Sequence, residues 1–263
     1  MAIWTYEDAH PAPQEREVMR DTCLFCESKL DHVTTMVDNV LTGEIRVCIS
    51  CGWWCRNKRS KYPDHDEFAE SGLLRHRYSM VGACAQLRNL DPSDISLPLA
   101  ELRQYLIAKY EDRGFVNPQA LENLVGSIFR HQGYSTEVTA YQRDGGIDVI
   151  LSKGTATIGV QVKRQKARIE AEQIRALAGA LILEGHTAGV FVTTAAFRAG
   201  AITAASNFSS KGIPIELVDA HRLYDALKLV QEPLLNKSDL EAFVHRIHDI
   251  GEDKVIYEDE GPY

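Results

Sequence analysis

The 263-residue sequence contains no apolar run that approaches the roughly 20 residues a helix needs to cross a membrane. Its first residues, Met1 to Asp8, lack the basic segment followed by an apolar segment that is typical of a secretory signal. We therefore expect a cytoplasmic protein without a membrane partner. No GxxxxGKS or GxxxxGKT phosphate loop occurs, so the chain is not expected to hydrolyse ATP.

The sequence also lacks an excess of positive charge: it has 29 Lys and Arg residues and 37 Asp and Glu residues, for a net charge of -8. This sum gives no support to nucleic-acid binding, which rests on Lys and Arg neutralising phosphates. The charges are unevenly distributed, however. Basic residues form two runs, Arg56 to Lys61 and Lys163 to Arg168, whereas acidic residues concentrate in a tail from Glu252 to Glu260.

Cysteine is scarce outside two C-x2-C pairs near the start of the chain. Two β-prone runs, 33–37 and 44–47, lie between the pairs and flank a turn, as the hairpin of a zinc ribbon would. Four thiolates leave a zinc ion no open position, which predicts a structural role. The expected ligands are Cys23, Cys26, Cys48 and Cys51.

Cys55 is a spare thiol that competes as a ligand, and Cys84 is interpreted as a small buried hydrophobe; both are excluded from the predicted zinc site. The adjacent Trp53 and Trp54 are expected to be exposed and, with Arg56, Lys58 and Arg59, to offer contacts to nucleic acid or to a protein partner. Residues 61–114 are predicted to form a helical connector, with one helix over 99–111.

The remainder of the chain has the pattern of an α/β domain. Asn117-Pro118 predicts a helix start, and helical periodicity continues to about residue 132. Strands and helices follow in the order αβββαβαβα, which predicts a mixed sheet covered on both faces by helices. The later strands are expected at 136–140, 147–152, 157–163, 188–193 and 213–218, and the later helices at 169–183, 198–208 and up to 230.

Polar residues interrupt two of these strands at positions that a buried core would not favour. If residues 153–156 form a hairpin loop, Asp148 lies opposite Gln161, and Lys163 lies one step further on the same face. A carboxylate that holds a divalent cation and a nearby ammonium group suit phosphodiester hydrolysis. Glu122 on the preceding helix would add a second carboxylate, and Gly126 would let the sheet approach that helix.

These stretches resemble the Mrr-like branch of the PD-(D/E)XK nuclease superfamily over about residues 115–230. The matching segments are 145–149, 159–163, 191–194 and 217–219, together with the helix of Glu122. The resemblance implies a restriction-endonuclease-like fold, in which Asp148, Glu122 and Gln161 bind Mg²⁺ or Mn²⁺ and act with Lys163 in catalysis. Gln161 stands where the superfamily has its second acidic residue, so this chain departs from the pattern by one charge.

Taken alone, Gly145 to Asp148 is more typical of a turn entering a strand, and Gln161 to Lys163 is more typical of the solvent face of an edge strand. Together they favour a metal-dependent DNA endonuclease, a restriction or antiviral-defence effector that acts on DNA, with a homodimer as the expected assembly. The alternatives are a catalytically silent DNA-binding protein and a zinc-ribbon adaptor for a protein partner. The predicted domains are 1–60 (zinc ribbon), 61–114 (connector), 115–232 (nuclease) and 233–263 (acidic tail).

Overall fold

The computed structural model describes the backbone of residues 4–5, 21–37, 41–64, 75–139, 146–230 and 253–260, with residues 242 and 247. The chain divides into two compact units. Unit 1 comprises residues 1–89 and 232–263, and unit 2 comprises residues 90–231. In chain order, unit 2 is therefore inserted between two parts of unit 1. No helix among the described residues is long and apolar enough to span a membrane.

The strands of unit 1 are β1 Trp4–Thr5, β2 Asp31–Val37, β3 Leu41–Val47, β4 Trp54–Asp64, β5 Arg75–Cys84, β6 Gln86–Leu87 and β12 Asp253–Glu260. Five of them form an antiparallel sheet with the strand order β12-β5-β4-β3-β2. The predicted hairpin between the two cysteine pairs is confirmed, because β2 and β3 pair from Asp31 opposite Val47 to Val37 opposite Leu41. Its turn, 38–40, lies outside the described residues.

Two parts of the predicted domain scheme need correction. Strand β5 and the end of β4 lie in the segment that was expected to be a helical connector, and the two strands pair from Cys55 opposite Cys84 to Asp64 opposite Arg75. The acidic tail contributes β12, which pairs with β5. Both errors have one cause: strand propensity depends on the partner strand, and these partners are distant in the sequence or separated by a long connection.

The expected exposure of Trp53 and Trp54 is also wrong, because each tryptophan is only 3% exposed. Arg56 is buried too, and its Nη1 donates a hydrogen bond to the Ile247 carbonyl at 2.9 Å. These three side chains belong to the interior of unit 1. They are not a surface for a partner, whereas the side chains of Lys58 and Arg59 lie outside the described residues.

Unit 2 has the predicted order of helices and strands from Pro118 onward. Asn117 begins the first of these helices, because its side chain accepts hydrogen bonds from the backbone N–H groups of Gln119 and Ala120. The helices are α1 Leu99–Ala108, α2 Pro118–His131, α3 Ala171–Glu184, α4 Ala199–Ser209 and α5 Ala220–Leu229, with a 3₁₀ helix at Tyr110–Phe115. The strands are β7 Ser135–Val138, β8 Val149–Lys153, β9 Ala156–Lys163, β10 Ala188–Thr193 and β11 Ile215–Val218.

The sheet of unit 2 is mixed, as predicted, with the strand order β11-β10-β9-β8-β7. Strands β9, β10 and β11 are parallel, whereas β7, β8 and β9 are antiparallel. Helices flank this sheet: α2 packs on β7, β8 and β9, and α3 packs with α4 and β10. The carboxyl ends of the three parallel strands therefore lie at one edge of the sheet, where Lys163 ends β9.

Two glycines allow α3 to lie close to the sheet. Gly159 of β9 is paired in register with Gly189 of β10. A Cβ added at Gly189 would lie 2.4 Å from Leu181 Cδ1, and one added at Gly159 would lie 2.7 Å from Leu181 Cδ2. Leu181 of α3 is fully buried. The paired glycines thus form a shallow depression in the sheet that receives the Leu181 side chain.

Candidate functional site

The hairpin of β8 and β9 determines where the candidate catalytic residues lie. Its strands pair from Lys153 opposite Ala156 to Val149 opposite Val160. The turn consists of Gly154 and Thr155, two residues fewer than the sequence predicted, yet the register is the predicted one. The pairing ends one step before Asp148, whose N–H donates to the Val160 carbonyl at 2.8 Å, so the placement of Asp148 opposite Gln161 stays a prediction.

Asp148 is held by the backbone on both sides. Its Oδ2 accepts a hydrogen bond from the Val162 N–H at 2.6 Å, and its carbonyl accepts one from the Thr139 N–H at 2.9 Å. Burial raises the pKa of Asp148 above its ordinary value, although the Val162 hydrogen bond and the Lys163 charge act in the opposite direction. The carboxylate is therefore fixed in place, and its charge is electrostatically coupled to Lys163.

Glu122 lies on α2, the helix that packs against this part of the sheet. Burial and the negative charge of Asp148 raise its pKa to about 7. The Asp148 charge therefore acts on the Glu122 carboxylate. Gly126 lies one turn further along α2, and a Cβ there would lie 3.4 Å from Val138 Cγ2 and 3.7 Å from Val149 Cγ1. These are ordinary van der Waals distances, so the packing of α2 on the sheet does not require glycine at this position, contrary to the expected role of Gly126.

Gln161 carries an orphaned polar atom. Its Oε1 is buried and has no hydrogen-bond partner among the described residues. Gly146 lies beside it with φ +74°, and a Cβ at that position would come within 3.1 Å of Gln161 Nε2. Only glycine combines this backbone conformation with so close an approach. Gly145, the other glycine of the predicted motif, lies outside the described residues.

Two threonines that sequence analysis left without a role position Lys163. The Thr193 hydroxyl donates to the Lys163 carbonyl at 3.0 Å, and the Thr194 N–H donates to the same carbonyl at 3.2 Å. The Thr194 hydroxyl also donates to the Gln165 carbonyl and accepts from its N–H, both at 3.1 Å. Thr193 and Thr194 therefore anchor the end of β9. Two consecutive threonines at the end of a buried strand are the sequence signal for this anchor.

The arrangement is suited to a hard divalent cation. The Asp148 carboxylate acts electrostatically on Glu122, and its hydrogen bond from the Val162 N–H places it beside the part of β9 that carries Gln161. Carboxylate and amide oxygens are the ligands that Mg²⁺ and Mn²⁺ prefer. The unpartnered Gln161 Oε1 fits the same interpretation, because a buried polar oxygen is costly without a hydrogen-bond donor or a cation. The ligand roles of Glu122, Asp148 and Gln161 and the catalytic role of Lys163 remain predictions.

A second cluster lies in unit 1, where the four predicted cysteines come together. The Sγ atoms of Cys23, Cys26, Cys48 and Cys51 lie within 4.8 Å of one another, and all four residues are buried. Each pair is held by the same turn: the N–H of Glu27 donates to the Cys23 carbonyl, and the N–H of Gly52 donates to the Cys48 carbonyl. Both donors have positive φ, 58° at Glu27 and 81° at Gly52.

The sulfur geometry fits a tetrahedral zinc ion. Zn–S bonds of about 2.3 Å place neighbouring sulfurs roughly 3.8 Å apart. The Cys23–Cys51 and Cys26–Cys48 separations, 3.5 and 3.4 Å, are close to this value. Cys55 is not among these ligands: it pairs in register with Cys84, and burial raises its pKa to about 12. The cluster has the chemistry of a closed structural site.

Comparison with known proteins gives one family match and one curated relative. Residues 115–227 match the Mrr catalytic-domain family model, described as "Restriction endonuclease". The type IV methyl-directed restriction enzyme EcoKMrr of Escherichia coli (strain K12) is 29% identical over an alignment of 171 residues that covers 61% of this chain and 49% of that protein. The chain thus spans about half the length of this relative. The resemblance to Mrr-like restriction endonucleases is confirmed.

Two solved structures are also similar. The DNA modification-dependent restriction endonuclease AspBHI aligns at 18% identity with a TM-score of 0.35, over 62% of this chain and 43% of that chain. The restriction endonuclease FokI aligns at 11% identity with a TM-score of 0.37, over 61% and 36% of the two chains.

Proposed function

Because residues 115–227 match the Mrr restriction-endonuclease family model, we propose that the chain is a metal-dependent endonuclease that hydrolyses DNA phosphodiester bonds. The observation that carries the proposal is the position of Asp148: its Oδ2 accepts a hydrogen bond from the Val162 N–H, between Gln161 and Lys163 of β9. Its negative charge also acts on Glu122 of α2, the helix that packs on the same strands. Carboxylates beside an ammonium group are typical of a site for an anionic reaction centre.

The proposed ligands are oxygen donors, which suit a hard divalent cation. Glu122, Asp148 and Gln161 would hold Mg²⁺ or Mn²⁺, with Glu122 acting through a water molecule. When bound, the ion would supply Lewis-acid activation of the phosphodiester and of the attacking water. Because the Val162 N–H is bonded to Oδ2 of Asp148, Oδ1 is the oxygen that we assign to the ion.

Lys163 has a separate task in this proposal. In hydrolysis a water oxygen bonds to phosphorus while one P–O ester bond breaks, and negative charge grows on the phosphoryl oxygens. The Lys163 ammonium group offsets that charge, and it orients the attacking water. Thr193 and Thr194 keep the lysine in position through its backbone carbonyl. They are positioning residues, because neither hydroxyl is assigned to the reacting atoms.

The biological role follows from the family. The E. coli relative is a methyl-directed restriction enzyme, and we propose for this chain a restriction or antiviral-defence role in which foreign DNA is the substrate. Unit 1, with its cysteine cluster, would be stabilised by one Zn²⁺. The alternative function as a protein adaptor was based on the expected exposure of Trp53 and Trp54. Both side chains are buried, so they do not support it.

The test is cleavage of plasmid DNA by the purified full-length chain with Mg²⁺ or Mn²⁺. Asp148→Asn should abolish cleavage because it weakens metal capture, and Lys163→Met should reduce the rate by about 100-fold or more while DNA affinity changes little. The matched control is Lys153→Met, which alters an exposed lysine at the other end of the same hairpin and should cut like the parent.

Two results would count against the proposal. If Asp148→Asn and Lys163→Met cut DNA as fast as the parent, the site is misassigned. If the parent binds DNA but leaves the plasmid intact with either metal, the catalytically silent DNA-binding alternative is favoured instead.

A further inference from the structure

A cleft of about 530 Å³ opens in unit 2 beside the candidate active site, and the proposed mechanism does not use it. It lies past the carboxyl ends of β9, β10 and β11, between those strand ends and the 3₁₀ helix at Tyr110–Phe115. In open sheets with parallel strands, this edge is where ligands commonly bind. Its volume is within the range of sites that hold small molecules or groups of that size.

Cationic side chains dominate the chemistry of the cleft. Lys166 and Arg168 are exposed and come from the basic run that follows β9. Arg113 is the third cation, and it is held rigidly: its Nε donates to the Thr194 carbonyl at 3.0 Å, and its guanidinium group lies 4.8 Å from the Tyr110 ring centroid. Three cations around one concave surface favour an anionic ligand.

The acidic residues of the cleft are fewer, and they differ in availability. The Asp219 carboxylate caps α5, because its Oδ1 accepts hydrogen bonds from the N–H groups of His221 and Arg222. Those two helix donors are consequently unavailable to a ligand, so the side-chain cations carry the attraction. Glu111 is exposed and lines the same cleft, where it opposes an anion.

The cleft is continuous with the active site through the chain itself. Lys163 is the last residue of β9, and Gln165, Lys166 and Arg168 follow it directly into the cleft lining. The Thr194 hydroxyl anchors Gln165, and Thr194 also lines the cleft. A polynucleotide whose scissile phosphate lies at Lys163 has further phosphates on either side, spaced along each strand by about 3.4 Å of helix axis.

We propose that this cleft, through Lys166, Arg168 and Arg113, binds a backbone phosphate of the DNA strand next to the phosphodiester that is cut. The inference rests on the proposed function, since it places the scissile bond at Lys163. In this proposal the basic run of residues 163–168 contacts the DNA backbone. Such a contact positions the strand without reading its sequence.

The experiment measures DNA affinity without cleavage. All variants are made in the full-length Asp148→Asn chain, and binding of a labelled duplex is titrated at several salt concentrations without divalent cations. Lys166→Ala/Arg168→Ala should weaken binding about tenfold or more at low salt, and it should reduce the slope of log K against log salt by about 2. Glu111→Gln should strengthen binding by a few-fold, because it removes a like charge from the cleft.

The control is Lys153→Ala/Lys211→Ala, which removes the same charge from the opposite edge of the sheet, before β9 and before β11, and should leave affinity and salt slope close to the parent values. Equal losses in both double variants would overturn the proposal, because the effect would then be one of net charge. A cleft that binds a free mononucleotide, with DNA affinity unchanged in Lys166→Ala/Arg168→Ala, would also overturn it. Since no cleavage is measured, failure here is distinguishable from failure of the proposed activity.

Discussion

Glu122 and Asp148 are both carboxylates of the candidate site, but their surroundings differ. The Asp148 carboxylate has a backbone donor and a nearby cation, which offset part of its burial. At Glu122, burial and the negative charge of Asp148 act in the same direction and raise the pKa to about 7. In the absence of a metal, the ionised form of Glu122 therefore destabilises the folded state, and a bound cation would relieve this.

This asymmetry predicts the pH dependence of stability. Folding raises the pKa of Glu122 from 4.5 to about 7. Ionisation of Glu122 therefore lowers the free energy of unfolding as the pH rises through this range, and the loss is complete above it. Glu122→Gln should raise the Tm of the metal-free protein at about pH 8 and have much less effect at about pH 5. Thermal denaturation at the two pH values checks this, and the same gain at both would contradict it. The control Glu137→Gln changes an exposed carboxylate on β7 and should show no such pH dependence.

Gln161 leads to a prediction about metal affinity. Its amide oxygen can ligate or orient a hydrated ion but brings no negative charge, so Mn²⁺ is expected to activate the enzyme better than Mg²⁺. Gln161→Glu should retain cleavage and lower the Mg²⁺ concentration needed for half-maximal rate, whereas Gln161→Ala should impair cleavage. Metal titrations of the cleavage rate measure both. An unchanged Mg²⁺ requirement in Gln161→Glu would remove Gln161 from the metal site, provided that the variant is folded.

The elements of unit 2 show what a sequence can and cannot supply. The Asn117 cap and the periodicity after Pro118 predicted α2, and the expected hairpin loop at 153–156 predicted the register of β8 and β9. Backbone partners were not predictable, because the Val162 N–H that binds Asp148 and the Lys163 carbonyl that accepts from Thr193 are groups that every such residue carries. The placement of Glu122 rested on the family resemblance, because an isolated helix carboxylate has no distinctive pattern.

Strands β4, β5 and β12 were missed for a different reason. Their partners are set by long-range pairing, and the Arg56 to Lys61 segment resembles a solvated basic run when it is considered alone. Local periodicity therefore gave no clear strand pattern there. In β8 and β9, by contrast, the partner lies two residues away across a turn, and the glycine of that turn marks the hairpin in the sequence.

The contact of α3 with the sheet can be tested at the element scale. Gly189→Ala would place its Cβ 2.4 Å from Leu181 Cδ1, so the buried leucine must move and the free energy of unfolding should fall by about 1–3 kcal/mol. Gly189→Ala/Leu181→Ala should cost less than the sum of the single changes, because the alanine Cβ fills space that Leu181 vacated. Urea denaturation monitored by circular dichroism gives all three values.

Gly179→Ala provides a glycine-to-alanine control on α3, the helix that carries Leu181. A Cβ at Gly179 would have no neighbour within 4 Å, and alanine is the better helix former by roughly 0.5–1 kcal/mol, so this variant should be as stable as the parent or more stable. If Gly189→Ala is also neutral, α3 does not depend on the paired glycines.

At the scale of the whole molecule, the division into two units predicts separate responses to the loss of zinc. Cys23→Ser/Cys48→Ser should abolish zinc binding and unfold unit 1, because the two remaining sulfurs, of Cys26 and Cys51, cannot close the site. The candidate catalytic groups all lie in unit 2, within residues 90–231, so metal-dependent cleavage should survive. Zinc analysis together with the plasmid assay checks this. Retention of one zinc per chain in the double variant would exclude the site, and loss of cleavage by a chain whose unit 2 remains folded would assign unit 1 a part in the reaction.

The pairing of β12 with β5 has a consequence for the order in which the chain folds on the ribosome. Residues 1–89 are synthesised first, but the sheet of unit 1 has an open edge at β5 until residues 253–260 emerge. Unit 2 is complete by residue 231, and a domain generally folds once its residues are available. Unit 2 is therefore expected to fold before the sheet of unit 1 is complete. A premature stop after residue 231 should impair the folding of unit 1, which carries the four cysteines, rather than that of unit 2.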